Sequence, residues 1–166
     1  MKNERIGRYF KSKKLGIKKE IKDKYVDLGN GKILISNGYS VVMLDDNDNH
    51  YGMSAMDDKY SSSVKRCFDI FKNMYDSPDT HYTMYDMNRI KENMEEKKCF
   101  DMKNGYAIDY LLLKKIIDII GCVKLGGFKY ISVMDNGKDN PIIIVFGKNK
   151  NVGYLLPMLF APRINF

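Results

Sequence analysis

Residues 108–120 read Ile-Asp-Tyr-Leu-Leu-Leu-Lys-Lys-Ile-Ile-Asp-Ile-Ile and stop at Gly121. Ile108, Leu111, Leu112, Leu113, Ile116, Ile117, Ile119 and Ile120 put apolar groups on more than one face of the helix that this spacing predicts. A helix of that kind lies against a sheet and touches a further element as well. Two apolar strands are predicted after it, over residues 128–134 and 141–146, and a last strand over 153–158 ends in Tyr-Leu-Leu-Pro-Met. The last third of the chain is thereby committed to a helix packed on a sheet.

The earlier segments supply matching parts. Residues 3–15 predict a short helix, with Ile6, Tyr9 and Phe10 at i, i+3 and i+4 and Arg5, Arg8 and Lys11 on another flank. A β-meander is predicted next. Its strands cover 17–28, 32–35 and 40–44, and its turns are Gly29-Asn30-Gly31 and Ser36-Asn37-Gly38-Tyr39. Residues 45–60 are polar and read as a loop. Val64, Cys67, Phe68, Phe71, Met74 and Tyr75 then mark a helix over 61–76, with the serine run as N-cap and Pro78 beyond its end. Residues 80–87 are strand-like, and 88–98 read as either a helical turn or a connecting loop. The expected fold is α+β: one domain with an antiparallel sheet and its two principal helices on one face. No repeat is visible by identity, but two halves, each a helix and a run of strands, are compatible with an old duplication.

A chain of 166 residues is normally one domain and buries a core without staples. Cys67, Cys99 and Cys122 form no spaced framework and read as reduced core thiols of a cytoplasmic protein. No signal-peptide pattern opens the sequence. Its longest apolar run, 110–122, is interrupted by Lys114, Lys115 and Asp118, so no membrane partner is expected. The net charge of +7 has an uneven source. Residues 1–24 hold ten Lys/Arg against three Asp/Glu, which accounts for the whole surplus, and the remainder is balanced. A basic segment attracts phosphate backbones or anionic lipid, and it also serves as a solvated arm.

Residues able to do covalent or metal chemistry are sparse. His50 and His81 lack neighbours at metal or catalytic spacing, and no C-x-x-C or phosphate-loop pattern occurs. The run from Asp45 to His50 begins like a calcium loop but has His50 at the sixth position and Met56 at the twelfth, so it reads as a solvated turn. Asp57, Asp58, Asp76 and Asp79 are candidate carboxylates of a metal-dependent nuclease, the weakest of the functional readings. The expected chain is non-enzymatic and needs no cofactor.

The order of helix 108–120, the two apolar strands and Leu155-Leu156-Pro157-Met158 resembles the closing repeat of the bacterial sliding clamp, the DNA polymerase III beta subunit. A second anchor is residues 31–42, where Ser36-Asn37-Gly38 stands at the family's strand-ending turn. The similarity covers about a third of the chain, residues 99–158. Eight residues follow Met158 where the family normally stops, and the chain is about one clamp domain long.

That resemblance implies a DNA-associated processivity-type protein, a single-domain relative of phage or mobile-element type. It would contact duplex DNA without sequence preference through Arg5, Arg8, Lys11, Lys13, Lys14, Lys114 and Lys115. It would take peptides of replication or repair proteins at Leu155, Leu156, Pro157 and Met158, and it would form a homo-oligomer. The alternative is a small protein-interaction or inhibitor module that keeps the half-clamp fold and does not touch DNA.

Overall fold

Strand alternation and helix stripes divide this chain between two faces of one sheet. The computed structural model describes residues 3–12, 16–94, 99–101, 106–137 and 141–159, without the side chains of 93, 94, 99–101, 158 and 159. In chain order the elements begin with α1 (Glu4–Phe10), β1 (Lys24–Asp27), β2 (Lys32–Ser36), β3 (Ser40–Asp45), β4 (Ser54–Ala55), α2 (Asp58–Asp76), β5 (His81–Asp86) and α3 (Met87–Met94). They continue with β6 (Cys99–Asp101), β7 (Tyr106–Asp109), α4 (Tyr110–Ile120), β8 (Lys124–Leu125), β9 (Phe128–Asp135), β10 (Ile142–Phe146), β11 (Val152–Leu155) and β12 (Met158–Leu159).

The main sheet runs β4-β1-β2-β3-β11-β10-β9-β5, with β8 paired to β9, and a small sheet runs β12-β7-β6. Its pairs are antiparallel except β1 with β4. Two similar units are therefore joined edge to edge. One is α1 followed by the meander β1-β2-β3, the other is α4 followed by β9-β10-β11, and β3 pairs with β11 at the seam through Val42 and Gly153.

The α+β class is as expected, but the two principal helices lie on opposite faces of the sheet rather than on one. Ile33, Ile35, Val42, Leu44, Ile143 and Val145 pack under α1 and α4, against Ile6, Tyr9, Phe10, Leu112, Leu113 and Ile116. Leu34, Val41, Ile144, Val152 and Tyr154 point the other way and pack under Val64 and Phe68 of α2. The physical reason is visible in β2 and β10. Ile33-Leu34-Ile35 and Ile142-Ile143-Ile144-Val145 are continuous apolar runs, so successive side chains leave from both faces and both need cover. Each fully buried Ile or Leu contributes about 1.5–3 kcal/mol.

Several boundaries shift for local reasons. Helix α2 starts at Asp58 rather than Ser61, with Asp57 as N-cap, and Ser61 Oγ instead donates to the Asp58 carbonyl at 3.2 Å. Helix α1 closes at Phe10, whose C-cap Lys11 is extended. The strand of 17–28 shortens to Lys24–Asp27, and α3 occupies part of the segment read as a turn or loop. Helix α4 begins after Asp109, whose side chain accepts from Leu112 N at 3.2 Å, and Ile108 belongs to β7. Cys67 is exposed on α2 rather than a core thiol, because it stands to one side of the Val64–Phe68 stripe. Cys122 is half-buried, its thiol donating to the Tyr130 carbonyl at 3.1 Å, and the Cys99 side chain lies outside the described parts.

Candidate nucleic-acid interface

Helix α1 is short, but its ends and its buried side hold it in one place. Asn3 caps the first turn by accepting from Arg5 N at 2.9 Å. Ile6, Tyr9 and Phe10 are buried, which leaves Arg5 and Arg8 on the opposite, exposed side. The Tyr9 hydroxyl lies 2.8 Å from Ser40 Oγ. The Ser40 hydroxyl proton goes to Asn37 Oδ1 at 3.0 Å, so Tyr9 is the donor. Asn37 Oδ1 also accepts from Tyr39 N and Ser40 N, so the turn between β2 and β3 becomes the anchor of α1. Burial pushes the Tyr9 phenol far above its ordinary value, so it stays protonated and donating. Replacing Tyr9 by Phe is expected to cost about 1.5 kcal/mol by stranding Ser40. In a thermal melt that is a fall of about 5 °C, and an unchanged midpoint would contradict the anchor.

Helix α4 packs beside α1, and the two present a common basic rim. A groove of about 620 Å³ is lined by Arg5 and Arg8 of α1, Lys114 and Asp118 of α4, Lys129 of β9 and Lys148 from the turn after β10. Five cations face one acid there. All six side chains are exposed, so water and salt reach them freely. A second depression on the far side of Arg8 adds Lys11 and Lys22 with Glu4 and Asp23.

The DNA-contact residues expected from sequence thus divide. Arg5, Arg8 and Lys114 come together in the groove, and Lys11 stands in the second depression next to Arg8. The ammonium of Lys115 donates to the Lys11 carbonyl, tying α4 to the end of α1. Partial burial lowers its pKa, with Asp109 opposing. Lys13 and Lys14 lie outside the described residues. Lys129 and Lys148 belong to the rim and were missed. Lys129 sits in a segment read only as a strand, Lys148 falls between two predicted strands, and no local pattern relates either to α1.

The peptide-binding residues are also separated. The strand expected over 153–158 breaks into β11 and β12, which belong to different sheets. Leu156 N donates to the Tyr39 carbonyl at 3.0 Å as the chain leaves β11, and Pro157 has no amide hydrogen with which to continue a ladder. Leu155 is wholly buried under α4 and cannot meet a partner. Leu156 is 41 % exposed and borders a small pocket with Tyr39, Val64 and Phe71. Pro157 is half-buried. The Met158 backbone pairs with Ala107, and its side chain and residues 160–166 lie outside the described parts.

The acidic run is a structural turn. Asp46 binds His50 Nδ1 at 2.8 Å, Asn47 Oδ1 accepts from Tyr51 N at 2.7 Å, and the His50 ring stacks on Tyr25 at 4.4 Å. Among the described residues no three His, Cys, Asp or Glu side chains are grouped to hold a metal ion. Asp57 and Asp58 serve the start of α2 instead. No helix among the described residues is long and apolar enough to cross a membrane. Comparison with protein-family models, with curated proteins and with solved structures finds no match to this chain.

Proposed function

We propose that this chain is a non-catalytic, clamp-like DNA-associated protein whose α1–α4 face meets the phosphate backbone of duplex DNA. The observation that carries the reading is the gathering of Arg5, Arg8, Lys114, Lys129 and Lys148 around one groove, with Asp118 as the only acid among the described residues that line it. These cations come from both halves of the chain, so the surface exists only once the two units have joined. Open, solvated cations suit contacts to backbone phosphates, which position a protein without reading sequence. The duplicated arrangement of helix and meander, with α1 and α4 side by side on one face, supports the clamp-like part of the reading.

Salt dependence tests it. Five phosphate contacts give a slope of about −4.5 in log affinity against log salt, because each releases condensed counterions. Lys129→Glu with Lys148→Glu is expected to weaken binding of a labelled duplex uniformly across sequences and to flatten that slope by about 2. Equal affinities and slopes for the wild type and the double variant would remove the groove from the account.

A second reading rests on Leu156. Its exposed side chain beside Tyr39 and Phe71 suits a protein-interaction or inhibitor module that takes one apolar side chain of a partner. Duplex binding too weak to titrate, together with binding of an apolar peptide that Leu156→Asp abolishes, would favour it.

A further inference from the structure

The sheet face opposite α1 and α4 is only partly roofed. Helix α2 covers the cross-strand row Val41–Tyr154–Ile144, where Phe68 meets the Tyr154 ring at 5.7 Å. The next row on that face is Leu34–Met43–Val152–Phe146, one residue from each of β2, β3, β11 and β10. It floors a groove of about 720 Å³ that runs beside α2. Four strands at their usual spacing make that floor about 14 Å long.

The wall of the groove is one flank of α2. Lys65, Asp69, Lys72 and Asp76 follow one another at i, i+4, i+7 and i+11, all line the groove and all are exposed. They extend about 16 Å along the helix, close to the length of the floor. Among the described residues no ion pair engages any of the four. Their signs alternate, plus, minus, plus, minus. Read backwards, the same row is minus, plus, minus, plus. A second α2 laid antiparallel, about a twofold axis between Asp69 and Lys72, therefore meets an opposite charge at every position. Lys65 faces Asp76 of the second copy, and Asp69 faces its Lys72. A parallel pairing in register would set like against like throughout. Ile70, about 100° round the helix from Asp69, is 56 % exposed, and Cys67 and Tyr75 are also exposed on α2.

We propose that this groove and the α2 flank beside it form an isologous interface between two copies of the chain. In it each α2 lies along the groove of the other copy, with Ile70 towards the Met43–Val152 floor and four Lys–Asp pairs across the twofold. Met43 and Phe146, the half-buried members of the floor, supply the burial together with Ile70, while the exposed ion pairs set direction and register. Because α1 and α4 lie beyond the sheet, both copies keep those faces outward. The inference stands apart from the DNA reading and does not need it.

Two charge variants test it. One carries Asp69→Lys and Asp76→Lys, so its flank is all lysine. The other carries Lys65→Asp and Lys72→Asp, so its flank is all aspartate. By sedimentation velocity at high micromolar concentration the wild type is expected to be a dimer and each variant a monomer. An equimolar mixture of the two variants is expected to restore a dimer with one copy of each. If either variant loses its helical circular dichroism, Ile70→Arg reads the same surface from a single exposed position and is expected to be monomeric. A monomeric wild type, variants that dimerise like it, a mixture that stays monomeric, or a dimeric Ile70→Arg chain would each overturn the proposal.

Discussion

Replacing Gly147 by Ala is expected to lower the stability of this protein by about 3 kcal/mol, the largest loss we foresee for a single added methyl group. A Cβ there would stand 2.5 Å from the Ile120 carbonyl oxygen and 2.7 Å from Ile120 Cβ. Alanine tolerates the local backbone, whose φ is −104°, so the cost comes from contact and not from torsion. The obstructing atoms include helix backbone, which cannot turn aside as a side chain can. Gly147 is where the end of α4 touches the sheet, and the added methyl pries the two apart. Gly153→Ala has the same sign and a smaller size, because the atom it meets first is the Ile116 Cγ2 methyl. Thermal denaturation measures both. For a chain of this size about 3 kcal/mol is a fall of about 10 °C. A wild-type midpoint for Gly147→Ala would refute this packing.

Lys32→Met is expected to cost about 2–3 kcal/mol at neutral pH. The Lys32 ammonium spends its three protons on Asp45 Oδ1 at 2.6 Å, the Asn149 carbonyl at 2.6 Å and Asn151 Oδ1 at 2.7 Å. That knot ties β2 and β3 to the turn between β10 and β11, so it locks the seam from outside. Methionine keeps the stem and strands three acceptors. The pH dependence has a definite sign. The Lys32 hydrogen bond, opposed by partial burial and helped by Asn149, holds the Asp45 carboxyl below its ordinary range. A carboxyl lowered in the folded state stabilises fully above its unfolded value, about 4, and loses that contribution as pH falls through the folded value. The gap between wild type and variant in urea titrations should therefore be wide at neutral pH and narrow in acid below about pH 4. A gap of equal width at both would show that Asp45 is not the partner that matters.

Elements whose cause is local were legible in the sequence. The meander β1-β2-β3 follows from Gly29, Gly31 and Gly38, which take φ of 76°, 77° and 90° at its turns. The stripe Ile6, Tyr9 and Phe10 named the buried side of α1, and the Val64–Phe68 pair that of α2. Which face each helix covers was not read, although the unbroken runs in β2 and β10 carried that message. Two helices expected on one face left the other side of those runs without cover. The break at Leu156 and Pro157 was hidden for another reason. The partner of β12 is β7, some fifty residues earlier, and no local pattern announces it. The basic groove was half legible. Arg5, Arg8 and Lys114 stood out as charges on predicted helices, whereas Lys129 and Lys148 join them only through the pairing of distant strands.

The seam between β3 and β11 also sets the order in which this molecule can be made. It joins Ser40 to Leu155 and Met43 to Val152, more than a hundred residues apart along the chain. During synthesis the first meander emerges early and then waits with one edge bare, because its neighbour is the last strand of the main sheet to leave the ribosome. Contacts that distant make for slow folding and a long interval of exposure to stray pairing. Ribosome-bound chains halted before Val152 should consequently remain open to proteolysis across residues 32–45, and chains released whole should not.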